Sequence, residues 1–317
     1  MYKVLLTDNI AEEAVAVFSR YTGIEATRVG TLEKNDLVRI ICGYDAVIVR
    51  SPTRLTRDHI AAGTKLKFIG RAGVGVDNID VTEATARGII VMNAPRGNTV
   101  STAEHTVAMI LNVARRISQA DRSIRRQEWD RKALRGVELY GKTLGVIGLG
   151  RVGREVARRM LGFSMNVIAA DPAISKETAV GWGVELVGLE ELLERSHVIT
   201  AHVPLDAKTK GMISDREIGL MKDDVLLVNC ARGGVFDEVA VKQGLDAGKI
   251  AGVALDVYET EPPGANPLFS HERSVFTPHL GAATAEAQVR VAVEIAEKVA
   301  NALTKGEIRD RVNPPSD

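Results

Sequence analysis

The stretch Gly141-Lys-Thr-Leu-Gly-Val-Ile-Gly148-Leu-Gly150-Arg151-Val152-Gly153-Arg-Glu-Val-Ala-Arg-Arg-Met160, which closes at Ala169-Ala170-Asp171, decides the reading of this chain. Leu144 to Ile147 is a short apolar run with β-branched residues, the pattern of a strand buried on both faces. Gly148, Gly150 and Gly153 follow in G-x-G-x-x-G spacing, and Val152, Val156, Ala157 and Met160 then recur at helical intervals. Strand, glycine turn and helix N-terminus in that order make a diphosphate site. The first glycine permits the turn, the second admits backbone N–H groups to the pyrophosphate, and the third lets helix and strand pack closely. A second apolar run, Asn166 to Ala170, ends in Asp171, about 20 residues on, where an acid accepts adenosine ribose hydroxyls. A glycine turn alone can bind nothing; strand, helix and distal acid together predict a dinucleotide site.

Outward from this core, the chain has 317 residues, enough for two domains. Its 41 basic side chains equal its 41 acidic ones, so no net field favours nucleic acid or an anionic membrane. The two cysteines, Cys42 and Cys230, argue against a disulfide framework and fit a reducing, cytoplasmic setting. Neither a signal peptide nor a membrane-length apolar run is expected.

Before the glycine turn, Val4–Thr7, Ala46–Val49, Lys67–Ile69 and Ile89–Met92 read as strands separated by helical or turn segments, an α/β pattern that implies a parallel sheet. Val49-Arg50-Ser51-Pro52-Thr53 and Gly70-Arg71-Ala72-Gly73-Val74-Gly75-Val76-Asp77 leave two of them with a cation each, where ligands of parallel sheets gather. A long helix opens at Asn98, with Ser101 and Glu104 in capping-box spacing. Arg122 to Arg135 holds five Arg, Lys132 and Trp129; it reads either as a solvated basic face or as an anion site across a dimer interface. After the glycine turn, strands at Val198–Ala201, Val225–Asn229, Ala251–Leu255 and Val275–Phe276 complete a doubly wound sheet, and a last amphipathic helix spans about 285 to 303.

No histidine spacing suggests a metal; His197 and His202, flanking one strand, are poor candidates. His279 follows a strand end at the edge that would face a nicotinamide, and its titration range suits proton transfer. Glu261 would favour its imidazolium, and Arg232, after another strand, would clamp a carboxylate bidentately. Cation, imidazole and carboxylate at successive strand ends match hydride transfer to or from a 2-oxo acid.

These residues carry a family resemblance. The chain resembles the D-2-hydroxyacid dehydrogenases over nearly its whole length. Gly70 to Asp80, Trp129-Asp130-Arg131-Lys132 and Val228 to Gly234 are most similar to the branch acting on phosphoglycerate. The resemblance implies a Rossmann NAD-binding domain (98–284) inserted in a flavodoxin-like substrate domain (1–97 plus 285–317). It implies catalytic Arg232, Glu261 and His279, and NAD contacts at Val74, Gly148, Gly150, Arg151, Val152, Gly153, Asp171, Val203, Pro204, Cys230, Ala231, Arg232, Asp256, His279, Gly281 and Ala282. Substrate contacts are implied at Arg50, Ser51, Arg71, Gly73, Val74, Gly75, Asn98, Arg232 and His279, and at Arg131 reaching a partner's substrate phosphate. The implied activity is NAD-dependent oxidation of 3-phospho-D-glycerate to 3-phosphohydroxypyruvate, the entry to serine synthesis, by a homodimer or dimer-based oligomer joined through the nucleotide domains. A hydroxypyruvate or glyoxylate reductase is the alternative enzyme, and an NAD-sensing corepressor the alternative class. Many members of that branch continue into serine-binding regulatory domains; with the sequence stopping at Asn313-Pro314-Pro315-Ser316-Asp317, a short form or a catalytic fragment is expected.

Overall fold

A computed structural model describes residues 1–314; the last three residues, to which the expected substrate domain extends, lie outside the described residues. The chain divides into two compact units, residues 1–98 with 283–317 and residues 99–282.

The first unit is built on five parallel strands, β1 (Tyr2–Leu6), β2 (Ile24–Arg28), β3 (Ala46–Val49), β4 (Phe68–Arg71) and β5 (Ile90–Asn93), in the order β2-β1-β3-β4-β5. This is the flavodoxin-like winding, and the order reverses between β1 and β3. All four residues of β3 and of β4 are buried; β3 is apolar throughout, whereas β4 ends in the buried Arg71. One face is covered by the helices Glu12–Phe18 and Ala285–Lys305, whose Val291, Ile295 and Val299 meet Ile48 and Met92 in one core. Gly70 makes room for that covering helix: a Cβ there would stand 2.8 Å from Ile295 and 3.2 Å from Val299. Gly306 in left-handed conformation (φ 71°) ends the long helix.

In the second unit seven parallel strands follow: β6 (Thr143–Ile147), β7 (Asn166–Ala170), β8 (Glu185–Leu186), β9 (Val198–Ala201), β10 (Val225–Asn229), β11 (Ile250–Leu255) and β12 (Ser274–Phe276). Their order is β12-β11-β10-β9-β6-β7-β8, the doubly wound Rossmann arrangement with its reversal between β6 and β9. The apolar sides of amphipathic helices cover both faces, giving one core around Val146, Val156, Met160 and Ile110 and another around Ile147, Leu227, Val241 and Phe236.

The expected capping box at Ser101 and Glu104 is not formed as the sequence suggests. The helix runs Thr99–Arg115, so Ser101 lies inside its first turn, buried, and is not the N-cap residue. Among the described residues no helix is long and apolar enough to cross a membrane.

Candidate active site

The Gly148–Gly153 turn leaves β6 at the strand-order reversal. Gly148 has φ 89°, and a Cβ on it would lie 2.7 Å from the His202 carbonyl oxygen at the end of β9. A Cβ on Gly153 would collide with the Gly148 carbonyl, so helix and strand approach as closely as the third glycine was read to allow. Gly150, by contrast, has open space where its Cβ would be, just before the helix Arg151–Leu161. A glycine cradle, open above the second glycine and backed by a helix N-terminus, fits a dinucleotide diphosphate. Asp171, at the end of β7, accepts from the backbone N–H groups of Leu149 (2.8 Å) and Ala173 (2.8 Å), which ties the turn to the neighbouring strand. Two carboxylate oxygens with about four lone-pair sites still leave room for ribose hydroxyls. The residues present thus fit NAD. Cys230 at the end of β10 is buried, and burial pushes its thiol pKa up, which keeps the thiol neutral.

Around β10, β11 and β12 the three expected chemical groups come together within this unit. His279 Nδ1 donates to Glu261 Oε2 at 2.7 Å. Glu261 Oε1 accepts from the Tyr258 backbone N–H at 3.2 Å, so both carboxylate oxygens are engaged. The hydrogen bond to Glu261 raises the His279 pKa, burial opposes it, the charges of Glu261 and Asp256 add to the rise, and the nearby Arg232 guanidinium works against it. Because Nδ1 is committed to Glu261, proton exchange with a ligand falls to Nε2. Arg232 follows β10 in a loop fixed by Asn229, whose amide donates to the Arg232 carbonyl (2.8 Å) and accepts from Ala231 N–H (3.0 Å). At Gly233 the loop runs so close to the Tyr258 carbonyl that no Cβ would fit.

His279 sits in left-handed backbone conformation (φ 53°), a strained state that its surroundings must impose. Asp256 imposes it. Its carbonyl accepts from His279 N–H (2.9 Å), and its carboxylate from Leu280 N–H (2.7 Å), Gly281 N–H (2.8 Å) and the Thr277 hydroxyl (2.6 Å). His105 completes the set, with Nε2 3.2 Å from the same carboxylate. Burial resists ionisation of Asp256, but these donors hold its carboxyl below the ordinary range. The sequence reading had Asp256 as a cofactor contact and missed Thr277 and His105. Nothing in spacing marks a threonine two residues before a histidine, or a second histidine far upstream on the helix Thr99–Arg115, as part of one network.

His202 is set apart from this chemistry: burial pushes its pKa down to about 4, and its Nε2 lies 3.1 Å from the Thr200 hydroxyl. His197 Nδ1 accepts from Thr143 N–H at 3.1 Å, a purely local tie. Arg131 is exposed beyond the helix Ile117–Arg125; in the same basic segment Arg125 pairs with Asp121 and Arg126 with Glu128.

The first unit carries the other expected residues at or beyond the carboxyl ends of β3, β4 and β5. Arg71, only 9% exposed, donates from Nη2 to Ser51 Oγ (2.7 Å), from Nη1 to the Ala72 carbonyl (2.5 Å) and from Nε to Asn78 Oδ1 (3.1 Å). The Arg50 backbone N–H donates to Asp8 Oδ2 (2.8 Å), and the Thr53 hydroxyl to Asp8 Oδ1 (2.7 Å). The loop Gly73-Val74-Gly75 is held by Asn93, which donates to the Val74 carbonyl (2.6 Å). Asn98 presents a buried Oδ1 that no protein group satisfies. Asp8 and Asn78 were not singled out from the sequence, although Asn78 lies within the quoted Gly70–Asp80 motif.

With this geometry in view, similarity to known proteins is specific. The family profile described as "D-isomer specific 2-hydroxyacid dehydrogenase, NAD binding domain" matches residues 107–281. The chain is 50% identical to a D-3-phosphoglycerate dehydrogenase of Archaeoglobus fulgidus, covering 99% of this chain and 60% of that protein. It is 49% identical to one of Methanocaldococcus jannaschii, covering 98% and 59%. It therefore spans about 60% of the length of these curated relatives. A crystal structure of a glyoxylate reductase from Paecilomyes thermophila superposes with a TM-score of 0.86 at 31% identity, covering 98% of both chains. On the profile match and this full-length structural likeness, the chain belongs to the D-isomer specific 2-hydroxyacid dehydrogenase family, with NAD as its cofactor.

Proposed function

We propose that the protein oxidises 3-phospho-D-glycerate to 3-phosphohydroxypyruvate, and catalyses the reverse reduction. The observation that carries the chemistry is the His279 Nδ1–Glu261 Oε2 hydrogen bond of 2.7 Å beside Arg232. NAD, held by the Gly148–Gly153 turn, Arg151, Val152 and Asp171, supplies the hydride acceptor when bound. In oxidation, neutral His279 takes the hydroxyl proton at Nε2 as the C2 hydrogen leaves with its electron pair. The imidazolium so formed is stabilised by Glu261, which also fixes which ring nitrogen carries the resident proton. Arg232 pairs with the substrate carboxylate and fixes which face of C2 is presented. In reduction the same imidazolium returns its proton to the carbonyl oxygen.

The phosphate is assigned to Arg50, Ser51, Arg71 and Asn98. A phosphomonoester near neutral pH is close to a dianion and needs several converging donors, and these four supply guanidinium, hydroxyl and amide groups. The 50% identity to a D-3-phosphoglycerate dehydrogenase supports this substrate. Glyoxylate or hydroxypyruvate reduction is the second reading, favoured by the structural likeness to a glyoxylate reductase. Initial rates with 3-phosphohydroxypyruvate, hydroxypyruvate and glyoxylate decide between them. Under the first reading Arg50→Ala lowers kcat/KM at least about tenfold for the phosphorylated acid and hardly alters the others. If glyoxylate is the best substrate, or Arg50→Ala harms all three alike, the phosphoglycerate assignment falls.

The active form is proposed to be a homodimer joined through the NAD-binding unit. Ile117, Ile124, Trp129 and Tyr140 of that unit are each more than half exposed, apolar side chains suited to burial against a second copy. Arg131, in the same region, is the candidate to reach a partner's substrate phosphate. The free thiols of Cys42 and Cys230 support a reducing, cytoplasmic setting.

A further inference from the structure

We propose that Asn78 is a positioning residue for the substrate anion, the clasp that holds two loops of the first unit in one anion-accepting arrangement. The inference rests on the reading of Arg50, Ser51 and Arg71 as substrate residues. The loop after β3 and the loop after β4 leave the sheet side by side. Their distal ends are joined by backbone bonds, Leu55 N–H to the Asn78 carbonyl (2.8 Å) and Asp80 N–H to the Leu55 carbonyl (2.8 Å). Nearer the sheet, the Asn78 side chain makes the join. Its Nδ2 donates to both the Arg50 carbonyl (2.9 Å) and the Thr53 carbonyl (2.7 Å), while its Oδ1 accepts from Arg71 Nε (3.1 Å). One planar amide therefore fixes the turn that carries Arg50 and Ser51 and, at the same time, the rotamer of Arg71.

The chemistry of the group matters as much as its place. An arginine left to itself samples many rotamers, and ordering it on binding costs affinity. Here that ordering is complete beforehand, with Nε, Nη1 and Nη2 each engaged. A neutral amide oxygen does the holding without bringing a counter-charge of its own next to the guanidinium. No other side chain of this size both accepts from the arginine and donates twice to carbonyls. Asp8 supports the same turn from the β1 side through Arg50 N–H and the Thr53 hydroxyl, at the point where the strand order reverses. Asp8 is itself in left-handed conformation (φ 61°) and buried.

Asn78→Asp tests the role. The carboxylate keeps an acceptor for Arg71 but sets a charge beside it and faces the Arg50 and Thr53 carbonyls with no donor. Asn313→Asp is the matched control. Asn313 is also buried in the first unit, accepts from Val91 N–H (2.9 Å), and donates to the Ile89 carbonyl (2.9 Å) and the Thr85 hydroxyl (3.1 Å), away from both loops. Both variants are expected to lower Tm. Only Asn78→Asp should raise KM at least about tenfold for the best acid of the substrate panel, with kcat within about threefold and NAD affinity unchanged. A KM within about twofold of wild type, or an equal rise in Asn313→Asp, overturns the proposal. Should Asn78→Asp not fold, Asp8→Asn is measured instead; a KM raised at least about threefold supports the clasp and an unchanged one overturns it. The substrate assignment fails separately. It falls on the rank order of acids in the wild-type enzyme, whereas the role of Asn78 is read on whichever acid ranks first.

Discussion

Replacing Glu261 by glutamine separates the charge of the histidine's partner from its shape. In the native site Oε1 accepts from Tyr258 N–H and Oε2 from His279 Nδ1–H, so two acceptors serve two donors. Glutamine offers one carbonyl oxygen and one NH2 group. If its oxygen turns to His279, the NH2 confronts the Tyr258 N–H. If its oxygen turns to Tyr258, the ring must accept at Nδ1 and carry its proton on Nε2, the nitrogen needed as base. Either way one charge-assisted hydrogen bond is lost, worth about 1.5–3 kcal/mol. The two side chains are 47% and 37% exposed, so water competes and the lower end applies, about 1.5 kcal/mol. At about 1.4 kcal/mol per factor of ten, kcat should fall about tenfold in both directions. The pH profile should also move. His279 titrates above its ordinary value chiefly through Glu261, so the loss returns its pKa downward. Reduction needs the imidazolium, so its alkaline limb should shift to lower pH. Oxidation needs neutral imidazole, so its acidic limb should shift the same way. Initial rates followed by NADH absorbance across the pH range, in both directions, supply the measurement. Rates within about twofold of wild type with unmoved limbs would refute the assignment of Glu261 as the partner that tunes His279.

His279→Ala should lose at least about a hundredfold in turnover, the scale of one acid–base group, while NADH fluorescence titration shows unchanged cofactor affinity. Near-normal turnover would assign the proton to another group. NAD should be strongly preferred to NADP in kcat/KM, because Asp171 at the end of β7 repels a 2′-phosphate and is followed by Pro172 and Ala173, which bring no cation. Equal turnover with both cofactors would remove Asp171 from the ribose site.

The parts of the fold that could be read beforehand are those buried on both faces. The runs Ala46–Val49 and Val225–Asn229 are fully buried strands and show it in every residue but the last, Asn229. β2, Ile24-Glu25-Ala26-Thr27-Arg28, was not read as a strand. It is an edge strand, half exposed, and its mixed composition carries no continuous run. The site followed a similar division. His279, Glu261, Arg232, Arg50 and Arg71 were legible because ligands gather at strand ends and these residues carry the chemistry. Asn78, Asp8, Thr277 and His105 were not, because they act on backbone groups or on other side chains whose positions only the folded loops define. Ser101 shows the reverse error: its spacing to Glu104 was correct for a cap, but the burial of its side chain put it inside the helix.

The helix Ala285–Lys305 has a consequence for how the molecule is made. It supplies Val291, Ile295, Ala296 and Val299 to the core of a sheet whose strands all lie before residue 94. On the ribosome, therefore, β1 to β5 emerge with one apolar face covered only by the helix Glu12–Phe18 and stay so while residues 99–282 are synthesised. The second unit, contiguous in sequence, has all its strands and can close first. The first unit must wait, its Ile48 and Met92 open to wrong partners, until the late helix arrives. Nascent chains halted before residue 285 should hold a protease-resistant nucleotide-binding unit beside a protease-sensitive N-terminal sheet.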